Sequence, residues 1–178
     1  MKVSVVIPAY NEEKHIGKCL ESIVNQKVQP DEIIVVDNNC TDKTAEIAKN
    51  FGARVIKEKK QGMISTRNTG FNSANYEIIA RTDADAILPM DWILKIKEQF
   101  KDSNLDTLSG PAAYFSTPIF SEISKFGTFL VFSGIDLLFG HPMLAGPNMV
   151  LRKSLWEKVK NSVCLYDKDV HEDIDISI

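Results

Sequence analysis

The chain has 178 residues, 44% of them hydrophobic, which is enough to bury one sizeable core and points to a single domain. Lys and Arg number 21 against 24 Asp and Glu, and the resulting net charge of −3 excludes the basic footprint of a nucleic-acid binder. Three cysteines, Cys19, Cys40 and Cys164, are too few and too scattered for a disulfide framework or a zinc site, so free thiols in a reducing, cytoplasmic compartment are expected.

The opening MKVSVVIPAY is too short in apolar run for a signal peptide and reads as a strand over Val3–Ala9. In YNEEKHIGKCLESIVNQ, residues Ile16, Cys19, Leu20, Ile23 and Val24 recur at helical spacing, with Asn11 as the expected N-cap and Glu12 and Glu13 in the first turn. DEIIVVDNN is a second buried strand ending at Asp37. TDKTAEIAKNFG is a helix capped by Thr41 or Asp42, with Thr44, Ile47, Ala48 and Phe51 on one face and Gly52 as its stop.

ARVIKE follows as a short strand, GMISTRNTGFNSAN as a weaker helix, and Tyr76–Thr82 as a fourth strand. Pro89 opens a helix with Trp92, Ile93, Ile96 and Phe100 on one side. Strands alternating with helices through short connections predict an α/β domain with a mostly parallel sheet. DTLSGPAAY reads as a further strand, and NMVLRKSLWEKV as strand then helix. The apolar run Phe126–Phe139 spans 14 residues, short of the roughly 20 that cross a bilayer, which leaves a buried helix, a peripheral membrane or oligomer contact, or an acceptor wall.

Chemistry concentrates at the strand ends: PAYNE after the first strand, DNNCTD after the second, and TDAD after the fourth. A parallel sheet brings such ends to one edge, where ligands bind. Asp83 and Asp85 flank one alanine, and two like charges this close call for neutralisation, for which a divalent cation on oxygen ligands is one answer and a solvated turn the other.

The motifs VVIPAYNEEKHIGKCLESI, IIVVDNNCTDKT, GMISTRNTGF, RTDADAIL, GPNMVLRKSLW and HEDIDIS, in this order and through nearly the whole chain, resemble the family 2 glycosyltransferases of the GT-A fold. The resemblance implies a nucleotide-diphosphate-sugar donor, with a UDP-sugar favoured, Mg²⁺ or Mn²⁺, and a saccharide, lipid-linked or protein acceptor. It assigns Pro8, Ala9, Tyr10 and Glu12 to the border of base and ribose, Asp37 to the base, Asp83 to the ribose or a water-linked metal contact, and Asp85 to direct metal ligation. Arg67 and Asn68 are expected near the same cleft. Asn38 stands where the family often has a second acid. Within the acidic stretch YDKDVHEDIDISI, Asp173 is the implied catalytic base, supported by Glu172, and His171 is a lesser candidate ligand. His15 and His141 read as structural.

The donor-binding half is expected over about residues 1–105 and the acceptor and catalytic half over about 106–178. The C-terminus is expected to be incomplete, because the chain ends at Ile178, five residues after Asp173. The competing readings are a catalytically silent nucleotide-sugar-binding fragment and a sugar-phosphate nucleotidyltransferase. The latter would carry a glycine-rich basic loop after the first strand, and PAYNEEKH has no glycine before Gly17. The expected location is cytoplasmic, either free or at the cytoplasmic face of a membrane.

Overall fold

The computed structural model describes residues 1–110, Leu144 and residues 146–163. Phe126–Phe139, Cys164, His171, Glu172 and Asp173 lie outside the described residues.

A six-stranded sheet forms the centre: β1 (Val3–Ala9), β2 (Glu32–Asp37), β3 (Arg54–Lys57), β4 (Ile78–Arg81), β5 (Thr107–Ser109) and β6 (Met149–Arg152), in the order β3-β2-β1-β4-β6-β5. The helices are α1 (Ile16–Val24), α2 (Thr44–Asn50), α3 (Met63–Ser73), α4 (Trp92–Gln99) and α5 (Lys153–Val159). The expected parallel arrangement holds for β3-β2-β1-β4, whereas β6 pairs antiparallel with both β4 and β5, so the sheet is mixed.

All seven residues of β1 are buried, as expected of a central strand covered on both faces. Strand alternation divides the core in two. Val3, Val5 and Ile7 meet Ile16, Cys19, Leu20 and Ile23 of α1 together with Ile93 and Ile96 of α4. Val6 points to the other face, where it joins Val36, Phe71, Ile79, Leu151 and Trp156. There the Phe71 and Trp156 rings meet edge-to-face at 5.2 Å, an arrangement worth about 0.5–1.5 kcal/mol beyond area burial.

The weak helix around Gly70 is α3, and its residues explain how it survives. Ser, Thr and Asn are poor helix formers, so tertiary packing must hold it. A Cβ on Gly70 would stand 2.4 Å from Cγ1 of Val6 and 3.1 Å from Cγ2 of Val36, so the glycine lets the helix backbone lie against the sheet.

Local details at two of three helix starts differ from expectation. Asn11 is not an N-cap: it has φ of +55°, and α1 begins only at Ile16, after a turn in which the His15 and Ile16 amides donate to the Glu12 carbonyl at 3.0 and 2.9 Å. Glu12 and Glu13 therefore precede the helix. Asp42 does hold the start of α2, accepting from the Thr44 amide at 3.0 Å, and Gly52 ends that segment with φ of +77°. Pro89 precedes α4 by a turn, its carbonyl accepting from the Trp92 amide at 3.0 Å. Among the described residues no helix is long and apolar enough to cross a membrane.

Candidate functional site

Strand order reverses direction between β1 and β4: β2 and β3 follow on one side of β1, and β4 lies on the other. Beyond the carboxyl ends of strands at such a switch point, backbone loops diverge and leave a crevice. A cavity of about 350 Å³ lies here, lined by Pro8, Ala9, Tyr10 and Glu12 after β1, Asn38 after β2, Met63 and Thr66 of α3, and Asp83, Ala84 and Asp85 after β4. Six residues assigned from sequence to donor or metal thus line one space.

The loops are held by hydrogen bonds that join β1 to β2. The Glu12 amide donates to Thr44 Oγ1 at 2.8 Å and the Glu13 amide to Asp42 at 3.0 Å. In return the Thr41 amide donates to Asn11 Oδ1 at 2.8 Å, which the left-handed backbone of Asn11 permits. Tyr10 stays half exposed at the rim.

Asp37 sits at the end of β2 and is buried, with Oδ1 accepting from the Cys40 amide at 2.8 Å. This is an Asx-type turn, and Asp37 is not among the residues lining the cavity. Arg67 is wholly buried on the sheet-facing side of α3, its Nε donating to Asn68 Oδ1 at 3.0 Å, and it too is absent from the lining. Asn68 faces a separate cavity between α3 and α5, with Asn72, Trp156 and Lys160. Thr66, Met63 and Ala84 were not expected at the site. Thr66 precedes Arg67 by one residue, about 100° around the helix, so a periodicity argument that placed Arg67 against the sheet would have turned Thr66 elsewhere.

Negative charge gathers on the β4 side. The Glu12 carboxyl is pushed above the usual range by burial and then by Asp85, with smaller contributions from Asp42 and Asp83 and an opposing one from His15. Behind the acids, the Cys19 thiol donates to the Asp83 carbonyl at 3.4 Å and is pushed up to about 12 by burial, reinforced by Asp85 and Asp83. Cys19 is therefore an inert packing residue. Cys40, also a free thiol, is pushed up mainly by burial, and its Sγ contacts the Ala9 carbonyl at 3.4 Å.

These donors suit a hard divalent cation in one specific way. Among the described residues no group of three or more His, Cys, Asp and Glu side chains is arranged to hold a metal by itself. A Mg²⁺ or Mn²⁺ site that uses one or two carboxylates, completed by substrate phosphate and water, needs no such group, and the mutual repulsion at Glu12, Asp83 and Asp85 is what a cation would relieve.

The profile of "Glycosyl transferase family 2" matches residues 4–159. Glycosyltransferase GlyA of Streptococcus pneumoniae is 30% identical over 114 residues, covering 61% of this chain and 16% of that protein. In structure the chain is similar to the mannosyltransferase PcManGT from Pyrobaculum calidifontis in complex with GDP-Man and Mn²⁺, with a TM-score of 0.75 and 22% identity over 98% of this chain and 50% of that one. It is similar also to TarS 1-349 of S. aureus in complex with UDP-GlcNAc, with a TM-score of 0.74 and 20% identity over 99% and 52% of the two chains. This chain thus spans about half the length of those structures and 16% of GlyA. The family profile covers the strands that build the cavity and the loops that line it, on a mixed sheet of the GT-A kind, and the chain belongs to glycosyl transferase family 2.

Proposed function

We propose that this chain binds the donor in an enzyme that moves a sugar from a nucleotide diphosphate, a UDP-sugar by preference, to a saccharide, lipid-linked or protein acceptor with inversion at the anomeric carbon. The observation that carries this reading is the convergence of Pro8, Ala9, Tyr10, Glu12, Asn38 and Asp83–Asp85 on one cavity at the carboxyl edge of the sheet. The β1 loop borders the base and ribose, with the exposed ring of Tyr10 offering a flat apolar surface. Asp83 addresses the ribose side, and Asp85 is the residue that would hold Mg²⁺ or Mn²⁺. A bound divalent cation supplies charge neutralisation for the diphosphate as the sugar departs.

For transfer, Asp173 takes the proton of an acceptor hydroxyl. The acceptor oxygen then forms its bond to the anomeric carbon while the bond to the diphosphate oxygen breaks, and the electron pair leaves with the nucleotide. Glu172 supports the base. Cytoplasmic location is part of the same proposal, consistent with the free thiols Cys19 and Cys40.

The test is a panel of UDP- and GDP-sugars scored by thermal shift with and without Mn²⁺. A ligand at 100 times its Kd adds about 2.7 kcal/mol of stability, which is readily detected. A Mn²⁺-dependent shift with one donor class supports the reading, and no shift with any nucleotide sugar overturns it. For the base, Asp173→Asn in the enzyme that contains this chain should leave donor affinity unchanged and lower transfer by about 10² to 10⁴.

A further inference from the structure

Asn38 follows Asp37 at the carboxyl end of β2, and its side chain is taken up by the loop that precedes α3. The residue is buried. Its Nδ2 donates to the Glu58 carbonyl at 3.0 Å and to the Lys60 carbonyl at 2.8 Å, while its Oδ1 accepts from the Gly62 amide at 2.9 Å. Two carbonyls and one N–H around a single side chain can be satisfied only by a group with two donors and an acceptor, which a carboxylate is not. The next residue repeats the pattern from the rim: Asn39 Nδ2 donates to the Lys59 carbonyl at 3.0 Å and to Gln61 Oε1 at 3.1 Å.

The loop thus clasped leads directly into α3. Gly62 has φ of +137°, and its carbonyl accepts from the Thr66 amide at 3.1 Å and from Thr66 Oγ1 at 2.6 Å. Met63 and Thr66, the residues that follow, line the cavity together with Asn38 itself. We propose that Asn38 is a positioning residue: it fixes loop 58–62, and through Gly62 the wall that Met63 and Thr66 present to the nucleotide, and it does not select the base. This rests on reading the cavity as the donor site.

Two substitutions separate positioning from base selection. Asn38→Asp keeps an acceptor for Gly62 but loses both donors and sets a charge against two carbonyls. Asn38→Ala loses all three bonds. Amide hydrogen exchange at Gly62 and calorimetric affinities for UDP and for GDP, each with Mn²⁺, are measured on parent and variants. In the parent the Gly62 amide should be protected, and in Asn38→Ala its exchange should quicken about tenfold or more, the scale of one buried hydrogen bond. Each nucleotide that the parent binds should weaken by the same factor in both variants, about tenfold, leaving the ratio of UDP to GDP affinity within a few-fold of the parent.

A ratio that moves by more than about tenfold would show that Asn38 reads the base and would overturn the proposal. Unchanged affinities, or exchange at Gly62 that is unaffected by Asn38→Ala, would overturn it equally. Should a variant fail to fold, the parent decides alone, because a Gly62 amide exchanging as fast as an open loop excludes the clasp. A parent that binds neither nucleotide instead overturns the donor-site reading, while exchange at Gly62 still decides whether Asn38 holds the loop.

Discussion

The guanidinium of Arg81, only 1% exposed, lies 3.2 Å from a carboxylate oxygen of Asp83, and this contact separates the roles of two aspartates one residue apart. Arg81 points to the same sheet face as Ile79, two residues earlier on β4. A buried cation needs an anionic partner, and Asp83 supplies charge to it. Asp85 presses on the Glu12 carboxyl as a like charge more strongly than Asp83 does, and both aspartates disfavour ionisation of the Cys19 thiol.

Asp83→Asn and Asp85→Asn should therefore diverge. The first removes a charge partner from a buried guanidinium and should cost about 1–3 kcal/mol in urea melts. The second relieves Glu12, whose carboxyl is held above its usual range, and should leave stability at neutral pH unchanged or slightly raised. Only Asp85→Asn should abolish the Mn²⁺ enhancement of nucleotide binding, read by calorimetry. Metal-dependent binding equal to the parent's would mean that TDAD is simply a turn.

Asp37→Ala removes the acceptor of the Cys40 amide from a buried turn and should lower stability by about 1 kcal/mol. If the carboxylate also meets the nucleotide, UDP and GDP affinities fall together while the Mn²⁺ response persists. Nucleotide affinities that do not change at all would leave Asp37 as a turn builder.

Gly70→Ala tests how α3 is seated. The added methyl would stand 2.4 Å from Cγ1 of Val6 and 3.1 Å from Cγ2 of Val36, so helix or sheet must shift to admit it. Overpacking of this kind costs about 1–3 kcal/mol, and because α3 carries Met63 and Thr66 the cavity wall should shift with it. A melting temperature and nucleotide affinity equal to the parent's would show that helix and sheet are not in contact there.

Acid sensitivity should trace partly to Asp31. Burial pushes its carboxyl up, but hydrogen bonds from Lys97 and the Val3 amide, with the charges of Lys97 and Lys2, outweigh this and hold it below its ordinary value of 3.8. A carboxylate depressed in the folded state stabilises fully above the unfolded pKa and ceases to do so as pH falls through the folded one. Asp31→Asn should thus be less stable than the parent at pH 7, by about 0.5–1 kcal/mol for a partly exposed pair, with the difference vanishing in acid. A difference that is constant with pH would assign the effect to packing.

Much of the site could be read from sequence because it depends on strand ends. The runs Val3–Ala9, Glu32–Asp37 and Ile78–Arg81 are apolar enough to be strands, and in a parallel arrangement their carboxyl ends share an edge, so Pro8, Ala9, Tyr10, Glu12 and Asp83–Asp85 line one cavity. The apolar spacing of α1 and α4 likewise follows from local periodicity, and the buried residues Ile16, Cys19, Leu20 and Ile23, and Trp92, Ile93 and Ile96, fall on the expected faces.

What periodicity leaves open is direction and partner. That β6 runs against β4 depends on a pairing between residues about 70 positions apart, such as Arg81 with Met149, which no local pattern encodes. Asn11 looks like an N-cap in sequence because Asn often caps helices, yet the Thr41 amide in a neighbouring loop captures its oxygen. Arg67 looks like a ligand contact because arginine is usually exposed or functional, and the seating of Gly70 on Val6 carries it inside. Asn38 is likewise legible only as an amide in place of an acid until Glu58, Lys60 and Gly62 are brought around it. Hydrophobic pattern and chain direction determined where the cavity would be. Hydrogen bonds between loops distant in sequence, each with a fixed demand for donors and acceptors, decided which side chains face it.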